Sequence, residues 1–159
     1  MNSPAPKPRQ AGRAILRDDA GRVLLLHFHL PNMRFWATPG GGVEPDETLL
    51  EAAHRELREE LGIAVALEGP VHTAVGIFEF EGELIENTDH FFHGRWNGVP
   101  RLSGTTESES AALVEARWWT LEEMENTRED IFPRDLAAAI RRHSLRSRVS
   151  SARPLRVRV

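Results

Sequence analysis

Residues 40–63 read GGGVEPDETLLEAAHRELREELGI. Three glycines open the stretch, and the spacing of Leu50, Ala53, Leu57 and Leu61 predicts a helix with one apolar, core-facing stripe. Asp46, directly after Pro45, is the expected N-cap. Gly62 suits a left-handed C-terminal cap. Charge sets the segment apart. It holds seven acidic side chains, and Glu56, Glu59 and Glu60 crowd the last turn and a half of the helix. Like charges four residues apart cost roughly 0.2–0.5 kcal/mol per pair. Acids near a helix C-terminus oppose the macrodipole by roughly 0.3–1 kcal/mol each. Arg55 and Arg58 relieve part of this from neighbouring faces. A solvated charged face is the ordinary explanation of such a run, but breaches of local preference concentrate at functional sites. Hard divalent cations take oxygen ligands, and Mg2+ is usually held by a few carboxylates plus substrate phosphate. A cation between these glutamates turns repulsion into coordination.

Upstream of the helix, RAILRDDAGRVLLLHFH reads as two strands joined around the turn signal Asp18-Asp19-Ala20-Gly21. RFWATPGGG is a short strand entering the glycine loop. Downstream, IAVALEG, HTAVGIFEFEG and DHFFHGRW alternate as strands, LSGTTESESAAL is polar and loop-like, and ARWWTLEEM is a strand running into a turn. PRDLAAAIRRH is a final amphipathic helix. Strands and helices mix without regular βαβ alternation, which predicts a mixed sheet flanked by helices. Residues 1–10 are expected to form a flexible arm, 11–143 one folded domain, and 144–159 a basic tail.

The chain has 159 residues, enough to close one core. It has no cysteine, which removes disulfides and thiolate chemistry. It has no apolar run of membrane-spanning length and no signal-peptide pattern, so a cytoplasmic setting without membrane contact is expected. The net charge of −4 hides an asymmetry: seven arginines and no acids follow residue 140, leaving residues 1–140 with 13 basic against 24 acidic groups, or −11. An acidic body of this kind argues against a nucleic-acid partner, and handling an anionic substrate requires metal cations in between. The basic tail is expected against an acidic surface of its own chain or of a second copy in a homodimer, with a solvated tail as the alternative.

Gly41, five residues, Glu47, seven residues, then Arg55-Glu56-Leu57-Arg58-Glu59-Glu60-Leu61-Gly62-Ile63 resembles the Nudix box at all nine specified positions. A match of that length arises by chance about once in a billion starts. Trp36, Pro39-Gly40-Gly41, RWWTLEEM and the terminal helix are also similar to the family. The resemblance implies a Nudix-type α/β/α sandwich with a mixed β-sheet. It implies a pyrophosphohydrolase that holds Mg2+ or Mn2+ against a nucleoside diphosphate linked to another moiety. It makes Glu56 and Glu60 metal ligands, Glu59 a ligand or catalytic base, and the Gly40 carbonyl part of the inner shell. Arg55 pairs with Glu47 and orients the glutamates, while Gly41 and Gly62 meet backbone demands of loop and helix end. A small nucleotide, such as a nucleoside triphosphate or nucleotide sugar, is the expected substrate. RNA 5′ ends and a non-catalytic nucleotide sensor are the alternatives. The absence of tyrosine, and of a proline fifteen or sixteen residues after Ile63, sets the chain apart from dinucleoside polyphosphate and ADP-ribose hydrolases.

Outside the box, Phe92 and His93, with His90 and Trp96, are candidates for a substrate wall, and Arg34 for a phosphate contact. Trp118 and Trp119 read as packing residues. The family often adds a downstream glutamate near the metals. Here Glu109 is the first choice as base, ahead of Glu107 and Glu115.

Overall fold

The computed structural model describes residues 4–103 and 112–152. Eight strands form one mixed sheet: β1 (Lys7–Arg17), β2 (Val23–Leu30), β3 (Met33–Ala37), β4 (Gly40–Gly42), β5 (Glu68–Phe80), β6 (Glu83–Arg95), β7 (Leu113–Trp119) and β8 (Ile131–Phe132). Among the described residues the helices are α1 (Leu49–Leu61), α2 (Leu121–Asn126) and α3 (Leu136–Ala152). The main path through the sheet runs β5-β6-β1-β2-β3-β8, with β4 pairing β1 and β7 pairing β2. β1 is the organising strand. It runs parallel to β6 along its whole length and takes β4 antiparallel at Ala11↔Gly42 and Arg13↔Gly40.

Alternation along β1 and β2 divides the core in two. Ala14, Leu16, Leu24 and Leu26 face α1 and pack with Leu57, Leu61 and Ile63. Ile15, Val23 and Leu25 face the other way and pack with Trp36, Phe91, Trp119 and, from α3, Leu136, Ala137 and Ile140. Helix, sheet and helix form three layers, the α/β/α sandwich expected. Among the described residues no helix is long and apolar enough to cross a membrane.

Several local expectations need correction. Thr48, not Asp46, caps α1: its side chain accepts from the Glu51 N–H while the Glu51 side chain accepts from the Thr48 N–H, a complete capping box. Asp46 lies in the preceding loop with φ 64°. Leu50 is 37% exposed, and Ala52 takes its place on the buried side. Gly62 does close the helix in the left-handed region, its N–H donating to Arg58 and Leu57 carbonyls. Of IAVALEG, residues 63–69, read as a strand, 63–67 form none; β5 starts at Glu68. Lys7–Gln10, read as part of a free arm, are the first residues of β1, paired with Ile85–Thr88. The last helix runs on to Ala152, into the stretch read as a tail. The terminal LRVRV lies outside the described residues.

Candidate active site

α1 places Glu56 and Glu60 one turn apart, where i and i+4 residues share a face. Both are buried, at 5% and 4% exposure, although sequence spacing had put them off the core-facing stripe. The glycine loop comes right up to them. The Gly40 N–H donates to Glu60 Oε1 at 2.9 Å. A Cβ at Gly41 would fall 2.7 Å from the Glu56 carboxyl carbon and Oε1. No side chain fits there without displacing the carboxylate, so the glycine is what lets the loop backbone abut it.

Arg55 ties the acids together. Its Nε and Nη2 donate to the two Glu47 carboxylate oxygens at 2.7 and 3.0 Å, a forked pair. Nη2 also donates to the Gly42 carbonyl at 3.0 Å, and Nη1 to Glu56 Oε1 at 2.8 Å and Glu59 Oε2 at 3.2 Å. Glu47, and then Glu56, raise the arginine's pKa. In return Arg55 holds the Glu47 carboxyl below its ordinary range. Loop, helix start and metal-ligand candidates are thus fixed by one planar guanidinium.

A second cation escaped sequence reasoning. Arg13 on β1 is 17% exposed in its side chain, bonded to Asp89 Oδ1 at 2.7 Å and donating to the Thr38 carbonyl at 2.9 Å. Burial opposes its charge, but Asp89, then Glu60 and Glu56, outweigh that and raise its pKa. Arg9 continues the ladder by donating to Asn87 Oδ1, whose amide donates to Asp89 Oδ1. Arg13 pairs with Phe91 on the face of β1 away from α1 and acts on Glu60 and Glu56 only through its charge. Only the β1–β4 pairing brings it there, and no sequence spacing announces it.

Glu56, Glu59 and Glu60 therefore offer a cluster of hard oxygen donors beside a Cβ-free backbone, a set suited to Mg2+ or Mn2+. Glu59 keeps 36% of its side chain exposed. The remaining predicted residues are scattered. Phe92 is 3% exposed, opposite Ala14 on the face covered by α1, and acts in packing. His93 follows it on the strand and so points to the other face, toward Glu68 and His143. The two cannot form one wall. Arg34 sits opposite His29 at the exposed end of β3, alternating with Phe35. Glu115 lies 4.0 Å from the His27 ring, opposite it on β7 and away from α1. Glu107 and Glu109 lie outside the described residues. The chain enters their segment from Ser103, whose N–H donates to the Glu60 carbonyl and whose hydroxyl donates to the Glu59 carbonyl.

An aromatic group not singled out from sequence lies on the α1 side of the sheet. Phe28 and Phe35 stack with centroids 5.2 Å apart, and Phe35 meets Phe132 edge-on at 5.4 Å. Phe28 packs against the cluster containing Leu57 and Leu61, while Phe132 keeps 37% exposure. Counting by twos from Leu24 and Leu26 would have assigned Phe28 to this face; Phe132 arrives only through the parallel pairing of β8 with β3.

The family model described as NUDIX domain matches residues 7–140. An RNA pyrophosphohydrolase from Halorhodospira halophila is 46% identical over 61 residues, which are 38% of this chain and 30% of that protein. The chain aligns with less than a third of the length of these curated relatives. The MutT protein from Methanosarcina mazei Go1 has the same fold, with a TM-score of 0.70 at 24% identity, covering 91% of this chain and 99% of that one. A MutT NUDIX hydrolase from Burkholderia pseudomallei reaches 0.61 at 26% identity, covering 82% and 95%.

Proposed function

The chain belongs to the NUDIX domain family, and on that footing we propose that it is a Mg2+- or Mn2+-dependent pyrophosphohydrolase. Its substrate is a small nucleotide carrying a nucleoside diphosphate linked to another moiety, such as a nucleoside triphosphate or a nucleotide sugar. One observation carries the reading: two carboxylates one turn apart are buried against a Cβ-free loop, Glu56 held by Arg55 and Glu60 by the Gly40 N–H. Burying carboxylates costs several kcal/mol each unless cations and hydrogen bonds compensate. A sensor module has no need of that arrangement.

A divalent ion bound there withdraws charge from the pyrophosphate oxygens and acidifies water. Glu56 and Glu60 would hold it, with the Gly40 backbone beside them. Arg55, fixed by its fork on Glu47, orients Glu56 and Glu59 through direct hydrogen bonds. Glu59, partly exposed and 3.2 Å from Arg55, would accept a proton from attacking water in this reading. Glu109 is the alternative base, since its segment leaves from Ser103 on the last turn of α1. Phe28, Phe35 and Phe132 offer an apolar wall for a base. This wall replaces the Phe92–His93 wall expected from sequence. Arg34, at the exposed end of β3, is retained only as a contact for the outer part of a substrate.

RNA 5′ ends are the second reading, favoured by the 46% identity to a protein named as an RNA pyrophosphohydrolase. The experiment is phosphate and pyrophosphate release from a panel of nucleotides, nucleotide sugars and 5′-triphosphorylated RNA, with and without Mg2+. Metal-dependent cleavage of a small nucleotide supports the first reading, and cleavage confined to RNA supports the second. Binding of nucleotides with no cleavage of any substrate contradicts both.

A further inference from the structure

On the side of the sheet away from α1, two apolar stripes end in histidines. On α3, Leu136 and Ile140 face the core, and His143 continues the same stripe one turn on. On β6, Phe91 faces that core and His93 is the next residue of its face. The two rings lie 5.4 Å apart, tilted by 54°. Glu68 completes a group. Directly opposite His93 across the β5–β6 pair, it brings Oε1 to 3.6 Å from His93 Nδ1. The pairing shifts between Glu68 and His72, and such irregularities re-aim side chains.

Donor atoms of Glu68, His93 and His143 all lie within 4.8 Å of one another. Tetrahedral zinc with bonds of about 2.0–2.1 Å places neighbouring donor atoms about 3.4 Å apart. The Glu68–His93 pair is already near that spacing, and the Glu68 side chain, 74% exposed, is free to turn. Each donor comes from a different element: β5, β6 and α3.

We propose that Glu68, His93 and His143 form a second metal site that takes a borderline divalent transition ion such as Zn2+ and fastens α3 to the β5–β6 pair. Two imidazoles and one carboxylate suit zinc and its neighbours, whereas Mg2+ and Ca2+ want oxygen throughout. The site is thus chemically distinct from the all-oxygen cluster on α1. Arg17, a nearby cation, donates to the Gly21 carbonyl at 2.6 and 2.9 Å and to Ser144 Oγ at 3.1 Å. With three protein ligands the ion keeps one position open for water or an anion.

The test is calorimetric titration of the full chain with Zn2+ in excess Mg2+, on wild type and on Glu60→Gln, His93→Gln, His143→Gln and Glu68→Gln. Circular dichroism of each variant reports its fold. We expect one equivalent of Zn2+ in wild type and in Glu60→Gln, with affinity falling at least about tenfold in each of the other three. Visible absorption of Co2+-loaded protein, characteristic of imidazole ligation, should weaken in the same three variants. Glu68→Gln alters an exposed side chain and keeps the test decisive if a histidine variant misfolds. Absence of Zn2+ binding in wild type overturns the proposal. So does affinity unchanged in the Glu68, His93 and His143 variants, or lost instead in Glu60→Gln, which would put zinc among the α1 glutamates.

Discussion

The two long helices cover opposite faces of one sheet and use burial differently. α3 buries Leu136, Ala137, Ala139 and Ile140, an ordinary apolar face against Ile15, Val23 and Trp119. α1 buries Leu57 and Leu61 but also Glu56, bonded to Arg55, and Glu60, bonded to the Gly40 N–H. α1 also has a capping box and a left-handed glycine cap. Such terminal fixing suits a helix whose last turn must hold carboxylates in register against a loop. The contrast places an ordinary core on the α3 side and, under the proposed function, the chemistry on the α1 side.

The sharpest way to break that assignment is Glu60→Gln. Glutamine keeps an oxygen for the Gly40 N–H and removes a repulsive charge, so the fold should persist while Mg2+-dependent turnover falls by more than about a hundredfold, beyond the loss typical of an outer-shell change. Near-normal turnover would detach chemistry from α1. On the other face, Ile140→Ala should destabilise the protein by about 2–5 kcal/mol in urea unfolding. The folded fraction should keep its kcat. A selective loss of kcat there would blur the division.

Arg55→Lys comes next. Lysine keeps the charge but cannot reach Glu47, Glu56 and the Gly42 carbonyl with one planar fork. We expect kcat to fall about 10–100-fold, as for other changes that orient ligands, with KM nearly unchanged. An effect on KM alone would make Arg55 a substrate contact.

The smallest effect is a pH dependence of stability. Arg55 holds the Glu47 pKa below its unfolded value, so between the two values the unfolded chain binds more protons. The stabilisation is complete above the unfolded value of about 4.3 and is lost as pH falls through the folded one. Glu47→Gln should flatten that part of the stability–pH curve; an unchanged slope would remove the pair from the stability of the loop.

What was legible in the sequence was local. The Asp18–Gly21 turn, the glycine loop, Gly62 and the stripe of Ala53, Leu57 and Leu61 each depend on residues a few positions apart, and the structure has them. The misplaced cap was also local: Thr48 and Asp46 are both good capping residues, and Glu51, three after Thr48, decides between them. Period two along β6 already separated Phe92 from His93, so a wall using both was never available. Burial of Glu56 and Glu60 was not legible, because apolar periodicity presumes that acids face water. Nor were Arg13 beside Asp89, Phe132 beside Phe35, or His93 beside His143. Those meetings depend on strand pairings and helix docking between distant residues, which a single sequence does not encode in its spacing.

The central claim is that the buried glutamates of α1 hold a divalent ion. Mn2+ binding followed by electron paramagnetic resonance, on wild type and on Glu56→Gln and Glu60→Gln, tests it without reference to any substrate. We expect bound Mn2+ in wild type, displaced by Mg2+, and affinity weakened at least about tenfold in both variants. Equal Mn2+ affinity in all three proteins would contradict it.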